Sequence, residues 1–318
     1  MEAADQHHFI ETGIMNSPLL TIIIPTFKAE RTLQQSVESL LEQRFRDFEI
    51  LIMDGVSPDK TLAIAGAYAE KDDRLRVISE PDKGIYDAMN KGIERARGQW
   101  VLFLGSDDRL HDRDVLAFFA ALPDLEAYDV IYGNVVSPSY KGLYDGPFSF
   151  PKLLSRNMPH QAIFYRKSLF GLIGDYIIHY RGHADWEFNI RCFSDNRVRI
   201  RYIDRIIAYF GADGVSARHD IPFIKERLLP ERLRLLNATP HGLRSIRTFD
   251  EWWRLLRNAG IRDSHSLVDS AAGQSIPKPV IGMIGWQRKM PEQLLQAGLF
   301  SKSLMFINYL RNFLTASL

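Results

Sequence analysis

The sequence predicts an α/β fold in which a mostly parallel sheet carries helices on both faces. Three observations lead there. Short apolar runs suited to strands buried on both sides alternate with stretches of helical spacing through the first 136 residues. The runs end in Pro, Gly or Asp, residues that stop strands and start turns. The strand–helix cycle then repeats in order, and such repetition calls for crossover connections and parallel neighbours.

Leu19–Pro25 (LLTIIIP) is the first strand, and Pro25 stops it because proline donates no ladder hydrogen bond. Residues 29–43 follow with Leu33, Val37, Leu40 and Leu41 at helical spacing. Phe48–Asp54 (FEILIMD) is the second strand, after which Ser57 is expected as N-cap and Pro58 at the first helical position. Arg76–Ser79 makes a third strand, and residues 84–96 a helix with Ile85, Met89, Gly92, Ile93 and Ala96 on one side. Trp100–Leu104 is the fourth strand, residues 112–122 a helix and Val130–Tyr132 a fifth strand. Beyond Ile221 the pattern turns helical, with a polar linker at Asp263–Pro279 and an apolar stretch at Leu294–Leu314. The expected organisation is a flexible segment 1–17, an α/β domain 18–220 and a helical region 221–318.

With 318 residues, 46% of them hydrophobic, the chain can bury a large core and is expected to be globular. No apolar run approaches the ~20 residues that cross a bilayer, and Met1–Ser17 lacks the basic-then-apolar pattern of a signal peptide. A cytoplasmic protein is therefore expected. The single Cys192 excludes an internal disulfide and a thiolate cluster. Charge is uneven: residues 221–318 carry 14 Lys and Arg against 7 Asp and Glu, whereas residues 1–220 carry 26 against 32. A basic end suits an anionic membrane surface or an acidic protein, and solvated helix faces give the same count. Peripheral contact at the inner face of the membrane and packing against a second copy are both consistent with it.

Ligands collect at the carboxyl ends of strands in such sheets. The residues there are Thr26, Asp54, Glu80–Asp82 and Ser106–Asp108. Adjacent carboxylates such as Asp107 and Asp108 repel unless a cation or helix N-termini compensate, which points to a hard divalent cation, Mg2+ or Mn2+, or to a cap on the helix near Asp112. Asp54 precedes Gly55, whose small size lets the backbone approach a flat ligand; it is either a nucleobase contact or a turn former. Asp82 is either a ribose or base contact or an N-cap.

Four ordered segments, Thr21–Thr26 (TIIIPT), Ile52–Thr61 (IMDGVSPDKT), Glu80–Gly92 (EPDKGIYDAMNKG) and Phe103–Asp108 (FLGSDD), resemble the signatures of family 2 glycosyltransferases. The resemblance covers about residues 19–215 and is of the bacterial surface-polysaccharide type. It implies a GT-A (Rossmann-like) fold, a nucleotide-sugar donor, most often UDP-linked, a divalent metal, inversion at the anomeric carbon and a glycan or lipid-linked acceptor, with no role for nucleic acid. Carried over, Pro25, Thr26 and Asp54 line the base pocket, Asp82 lies near base or ribose, Asp107 touches ribose or sugar, and Asp108 binds the metal. The chain departs from the pattern at Gly55-Val56, where many members have Asp-Gly, and at Met89, where many have Arg.

Inverting displacement needs one base for the acceptor hydroxyl. Arg181–Arg191 (RGHADWEFNIR) resembles the family's acidic motif, which makes Asp185 the expected base and Glu187 the reserve. Trp186 either stacks on a sugar or joins the core. Met158–Tyr165 (MPHQAIFY) also resembles a family segment, and that resemblance implies that His160 and Gln161 sit near donor and acceptor; otherwise His160 is structural. In Gly211–His219 (GADGVSARH), Arg218 and His219 either meet the diphosphate or lie on an exposed turn. Absence of Gln-x-x-Arg-Trp favours addition of a single sugar. The rival readings are a sugar nucleotidyltransferase, which normally shows a Gly-rich loop where this chain has Pro25–Lys28, and a non-catalytic carbohydrate-binding protein on a decayed transferase fold.

Overall fold

The computed structural model describes residues 17–137, 142–144, 146–211, 220–228 and 230–231. The sheet runs β3 (Leu75–Ser79), β2 (Phe48–Asp54), β1 (Leu20–Thr26), β4 (Trp100–Phe103), β8 (Ile163–Arg166), β6 (Val130–Ser137), β9 (Ile200–Tyr209) and β5 (Arg109–Leu110), with β7 (Gly142–Tyr144) also paired to β6. Every residue of β1, β2 and β4 is buried, which is why their sequences read as continuous apolar runs. Alternation sorts them onto two faces. Ile23, Leu51, Met53, Val101 and Phe103 enter one core, whereas Leu20, Ile22, Ile24, Ile50, Ile52 and Leu102 enter the other.

Helices cover both faces. On the first lie α3 (Ile85–Arg95), through Met89 and Ile93, and α7 (Ala184–Ser194), through Phe188 and Ile190. A Cβ at Gly92 would lie 2.6 Å from Cγ2 of Ile23, so glycine there lets α3 settle directly on β1. On the second face lie α1 (Leu33–Leu41), with Leu33, Val37 and Leu40, and α4 (Val115–Ala120), with Val115, Leu116 and Phe119. The other helices are α2 (Thr61–Ala69), α5 (Phe150–Ser155) and α6 (Ser168–Ile173).

Three local expectations need correction. The sheet is parallel only in part: β3-β2-β1-β4 and β6-β9 are parallel, but β8 runs antiparallel to both β4 and β6. A strand covered on both faces is apolar throughout in either direction, so composition does not report its sense. Helix α2 begins at Thr61, not after Ser57, because the Ser57 hydroxyl accepts from Lys28 N–H and its own N–H donates to Asp54. Helix α4 begins at Val115, and Asp112 instead pairs with Arg205.

The loop after β2 is strained at one point. Val56 has φ 58°, a left-handed conformation that β-branched residues avoid, and it occupies the position where many family sequences carry Gly. Val56→Gly removes a Cβ clash of ~1–2 kcal/mol and adds ~0.5–1 kcal/mol of backbone entropy cost. A small net rise in thermal midpoint is expected; a fall of several degrees would show that the exposed valine does more than bear strain.

The described part of the region after residue 220 packs into the first core through Phe223, Ile224 and Leu228. The expected helices from 232 onward, their membrane or self-association contacts, and the segment 1–16 lie outside the described residues.

Candidate active site

Because β1, β2, β3 and β4 are parallel neighbours, their carboxyl ends meet along one edge of the sheet. A cleft of about 1720 Å³ opens there, and Pro25, Thr26, Asp82, Asp107 and Asp108 all line it. His160, Gln161, Asp185 and Trp186, from segments outside those four strands, line it as well. Residues separated by up to 161 positions in sequence thus share one hollow. Asp54 is placed differently. It is 2% exposed, and its carboxylate accepts from Thr26 Oγ1 at 3.3 Å, Ser57 N at 3.0 Å and Ser79 Oγ at 2.7 Å. It ties three strand ends together under Gly55, which does line the cleft. A Cβ at Gly55 would lie 2.4 Å from Asp82 Oδ2, so a glycine is required for Asp82 to sit where it does. Asp82 accepts from Gly84 N at 2.8 Å, while the N-cap position of α3 belongs to Gly84 itself.

Asp108 is not a helix cap. Its Oδ2 accepts from Gly105 N and Gln161 Nε2, both at 3.1 Å, and its Oδ1 from Gly211 N at 2.8 Å. Burial, reinforced by the neighbouring Asp107 and opposed by His160, pushes its carboxyl up to about 6. Such a group is poised for a cation, which would restore the ionised form. Gln161 Oε1, bonded through its own amide to Asp108, is buried without a hydrogen-bond partner. Asp107, Asp108 and the Gln161 carbonyl make a hard oxygen donor set that fits Mg2+ or Mn2+. Among the described residues no group of three His, Cys, Asp or Glu side chains forms a complete cage. Substrate phosphate would have to complete the shell, as is usual for Mg2+.

Asp185 sits in the first turn of α7, 5% exposed. Oδ1 accepts from Tyr86 Oη at 2.7 Å and Trp186 N at 2.8 Å; Oδ2 accepts from Asn157 Nδ2 at 2.9 Å and meets His160 Nδ1 at 3.4 Å. Burial works to raise its pKa, but the hydrogen bonds and positive charge of His160, with Tyr86, hold the carboxyl below its ordinary value. For His160, burial works downward and is outweighed by Asp185, Asp108 and Asp107, which raise the imidazole above 6.5. Tyr86 is driven well above the ordinary phenol value by burial and by Asp185, so it stays a donor.

These shifts carry a sign. The His160 contribution to stability is complete below pH 6.5 and is lost as pH rises through the raised folded value; that of Asp185 is complete above 3.8 and is lost as pH falls through the lowered one. Ionisation of Asp108 adds a cost across 3.8 to about 6. Thermal midpoints in cation-free buffer should therefore decline as pH rises from 6.5 through the raised value of His160, and His160→Gln should show a shallower decline there. An identical alkaline limb in both proteins would remove His160 as its source.

Trp186 proves both core and lining: its indole N–H donates to Leu153 O at 2.7 Å while the residue still borders the cleft. Glu187, the reserve base, is corrected. It is 2% exposed and pairs with Arg191 at 2.9 Å and Arg227 at 3.5 Å, outside the cleft lining. Arg218 and His219 lie outside the described residues. Tyr86 and Asn157 were missed from sequence, since nothing in either segment reveals that it meets a carboxylate 99 or 28 positions away.

The pattern of Glycosyl transferase family 2 matches residues 21–183, half of the chain. The chain belongs to that family. Its relatives include the PGL/p-HBAD biosynthesis glycosyltransferases of Mycobacterium bovis and Mycobacterium tuberculosis, 43% identical over 224 residues that span 69% of this chain and 88% of theirs. Among solved structures the transferase resembles Staphylococcus aureus TarS 1–349 in complex with UDP-GlcNAc, with a TM-score of 0.59, 19% identity and 83% of each chain covered. It also resembles the mannosyltransferase PcManGT from Pyrobaculum calidifontis in complex with GDP-Man and Mn2+, with a TM-score of 0.52, 16% identity and coverage of 91% of this chain and 84% of that one. These likenesses agree with the GT-A fold expected from sequence. No helix among the described residues is long and apolar enough to cross a membrane. The family match ends two residues before Asp185.

Proposed function

We propose that this glycosyltransferase moves a single sugar, with inversion, from a UDP-linked donor to a glycan or lipid-linked acceptor in cell-surface glycan assembly at the cytoplasmic face of the membrane. The observation that carries the reading is the convergence of the Asp107–Asp108 pair and Asp185 on one cleft, with Gln161 bonded to Asp108 and the adjacent His160 in contact with Asp185. Pro25, Thr26, Gly55 and Asp82 hold the nucleoside at the strand ends. Asp107, Asp108 and Gln161 would hold a divalent cation, which would supply positive charge to offset that of the departing diphosphate.

Asp185 supplies the base. The acceptor oxygen forms its bond to the anomeric carbon as the bond to the diphosphate oxygen breaks on the far side, and the hydroxyl proton passes to the Asp185 carboxylate. Four groups aim at that carboxylate, and the His160 contact, at 3.4 Å, is the longest of them. Tyr86 and Asn157 keep the carboxylate oriented meanwhile.

Two aliphatic side chains support an acceptor with an apolar part. Leu143, 57% exposed, and Ile178, 38% exposed, both line the cleft that contains Asp185. Solvent-facing Leu and Ile match an aglycone better than a sugar's hydroxyls. The test is a screen of nucleotide sugars for cation-dependent release of nucleoside diphosphate, with and without lipid extracts. Release from no donor under any cation would leave the decayed-transferase reading standing instead.

A further inference from the structure

Beyond the family match, the chain returns from β9 to the turn that carries Asp185. Asp220, 7% exposed, reaches it with one carboxylate oxygen and caps its own helix with the other: Oδ2 accepts from Gly182 N at 2.8 Å and Oδ1 from Phe223 N at 3.2 Å. The carbonyl of Gly182 lies 3.1 Å from Tyr86 Oη, the same hydroxyl that reaches Asp185. Phe223 is fully buried. Its ring stacks on His183 with centroids 5.4 Å apart and an interplanar angle of 21°, and it meets Trp186 at 5.2 Å and Tyr180 at 5.9 Å. Arg227, one turn on, pairs with Glu187. Residues from 220 to 227 therefore grip the chain at positions 180, 182, 183, 186 and 187, on both sides of Asp185.

We propose that Asp220 and Phe223 are positioning residues for Asp185, and that residues 220–227 form a strap that sets the reach of this carboxylate into the cleft. The inference rests on the base reading above. The turn before α7 has no side-chain cap of its own: its N-cap residue, His183, makes no capping hydrogen bond. Its geometry is supplied from outside. Trp186 N–H, a donor to Asp185, points where it does only while the Gly182–His183 backbone is held, and Asp220 and Phe223 hold it. A base displaced by about 1 Å loses on the order of a hundredfold in rate, whereas the donor half of the cleft, built from strand ends, is untouched.

The experiment compares Asp220→Ala, Asp220→Asn and Phe223→Leu in the full chain, by hydrogen exchange of the peptide spanning residues 181–187 and by steady-state kinetics across pH. Expected for Asp220→Ala are faster exchange of that peptide, a kcat at least tenfold lower, a donor KM within twofold of the parent, and an acidic limb of kcat moved to higher pH as Asp185 loses aligned donors. Asp220→Asn, which keeps one acceptor, should recover part of the loss, and Phe223→Leu should follow Asp220→Ala. Unchanged exchange overturns the strap, as does a fall in kcat matched by the donor KM with the acidic limb fixed. Failure of the base reading is a separate result: Asp185→Asn would retain turnover while the exchange of 181–187 still responded to Asp220→Ala.

Discussion

Asp185→Asn is expected to lower transfer by about 10²–10⁴-fold while the affinity for the nucleotide sugar stays within about twofold. The asymmetry follows from the different segments that line the cleft. In the proposed mode donor binding draws on Pro25, Thr26, Gly55, Asp82 and the Asp107–Asp108 pair, none of which hydrogen-bonds Asp185. The amide keeps the shape but cannot take a proton from an attacking hydroxyl. It also presents two N–H groups to one of the donor pairs, either Tyr86 and Trp186 N or Asn157 and His160, which now lack an acceptor. That mismatch costs about 1–3 kcal/mol of stability. Calorimetric titration with donor, thermal melting and single-turnover transfer on one preparation separate these effects. Equal losses of binding and transfer would count against Asp185 as the base.

For Asp108→Ala the expected result is loss of cation-dependent turnover by about a hundredfold or more, read from cation titrations of diphosphate release. Removing this carboxylate takes an oxygen ligand from the pair and strands three donors: Gly105 N, Gly211 N and Gln161 Nε2. Because those stranded groups destabilise the loop after β4, Asp108→Asn, which keeps an acceptor for two of them, is the companion variant. Both should raise the cation concentration needed for half-maximal rate. Transfer undiminished in either would remove Asp108 from the cation site, whatever the fate of the fold.

Much of the donor wall was legible in the sequence because its determinants are local. In β1, β2 and β4 a strand buried on both faces announces itself as an apolar run, and the first polar residues after it fall at the sheet edge by chain connectivity alone. That logic reached Thr26, Asp82, Asp107 and Asp108. For Asp54 it left a nucleobase contact and a turn former open, and the Ser57 N–H with the Thr26 and Ser79 hydroxyls turns that carboxylate into a structural tie. The same logic misplaced the start of α2, because Ser57 was claimed by Lys28 and Asp54 from other segments before it could act as a cap.

The acceptor wall obeys different rules. Asp185 was proposed through the resemblance of Arg181–Arg191 to a family motif, but its partners Tyr86 and Asn157, the pairing of Glu187 with Arg227, and the return of Asp220 and Phe223 have no local signature. By itself the sequence determined the alternation of strand and helix, the two-faced burial of the parallel half and the identity of the acids at its edge, since periodicity and strand termini are properties of neighbouring residues. Only the tertiary structure decided the antiparallel insertion of β8, which acids face the cleft and which are ion-paired away from it, and what holds Asp185 in place. Those outcomes depend on contacts across 25 to 103 residues, where hydrogen-bond partners are chosen by packing of the whole sheet and not by any pattern along the chain.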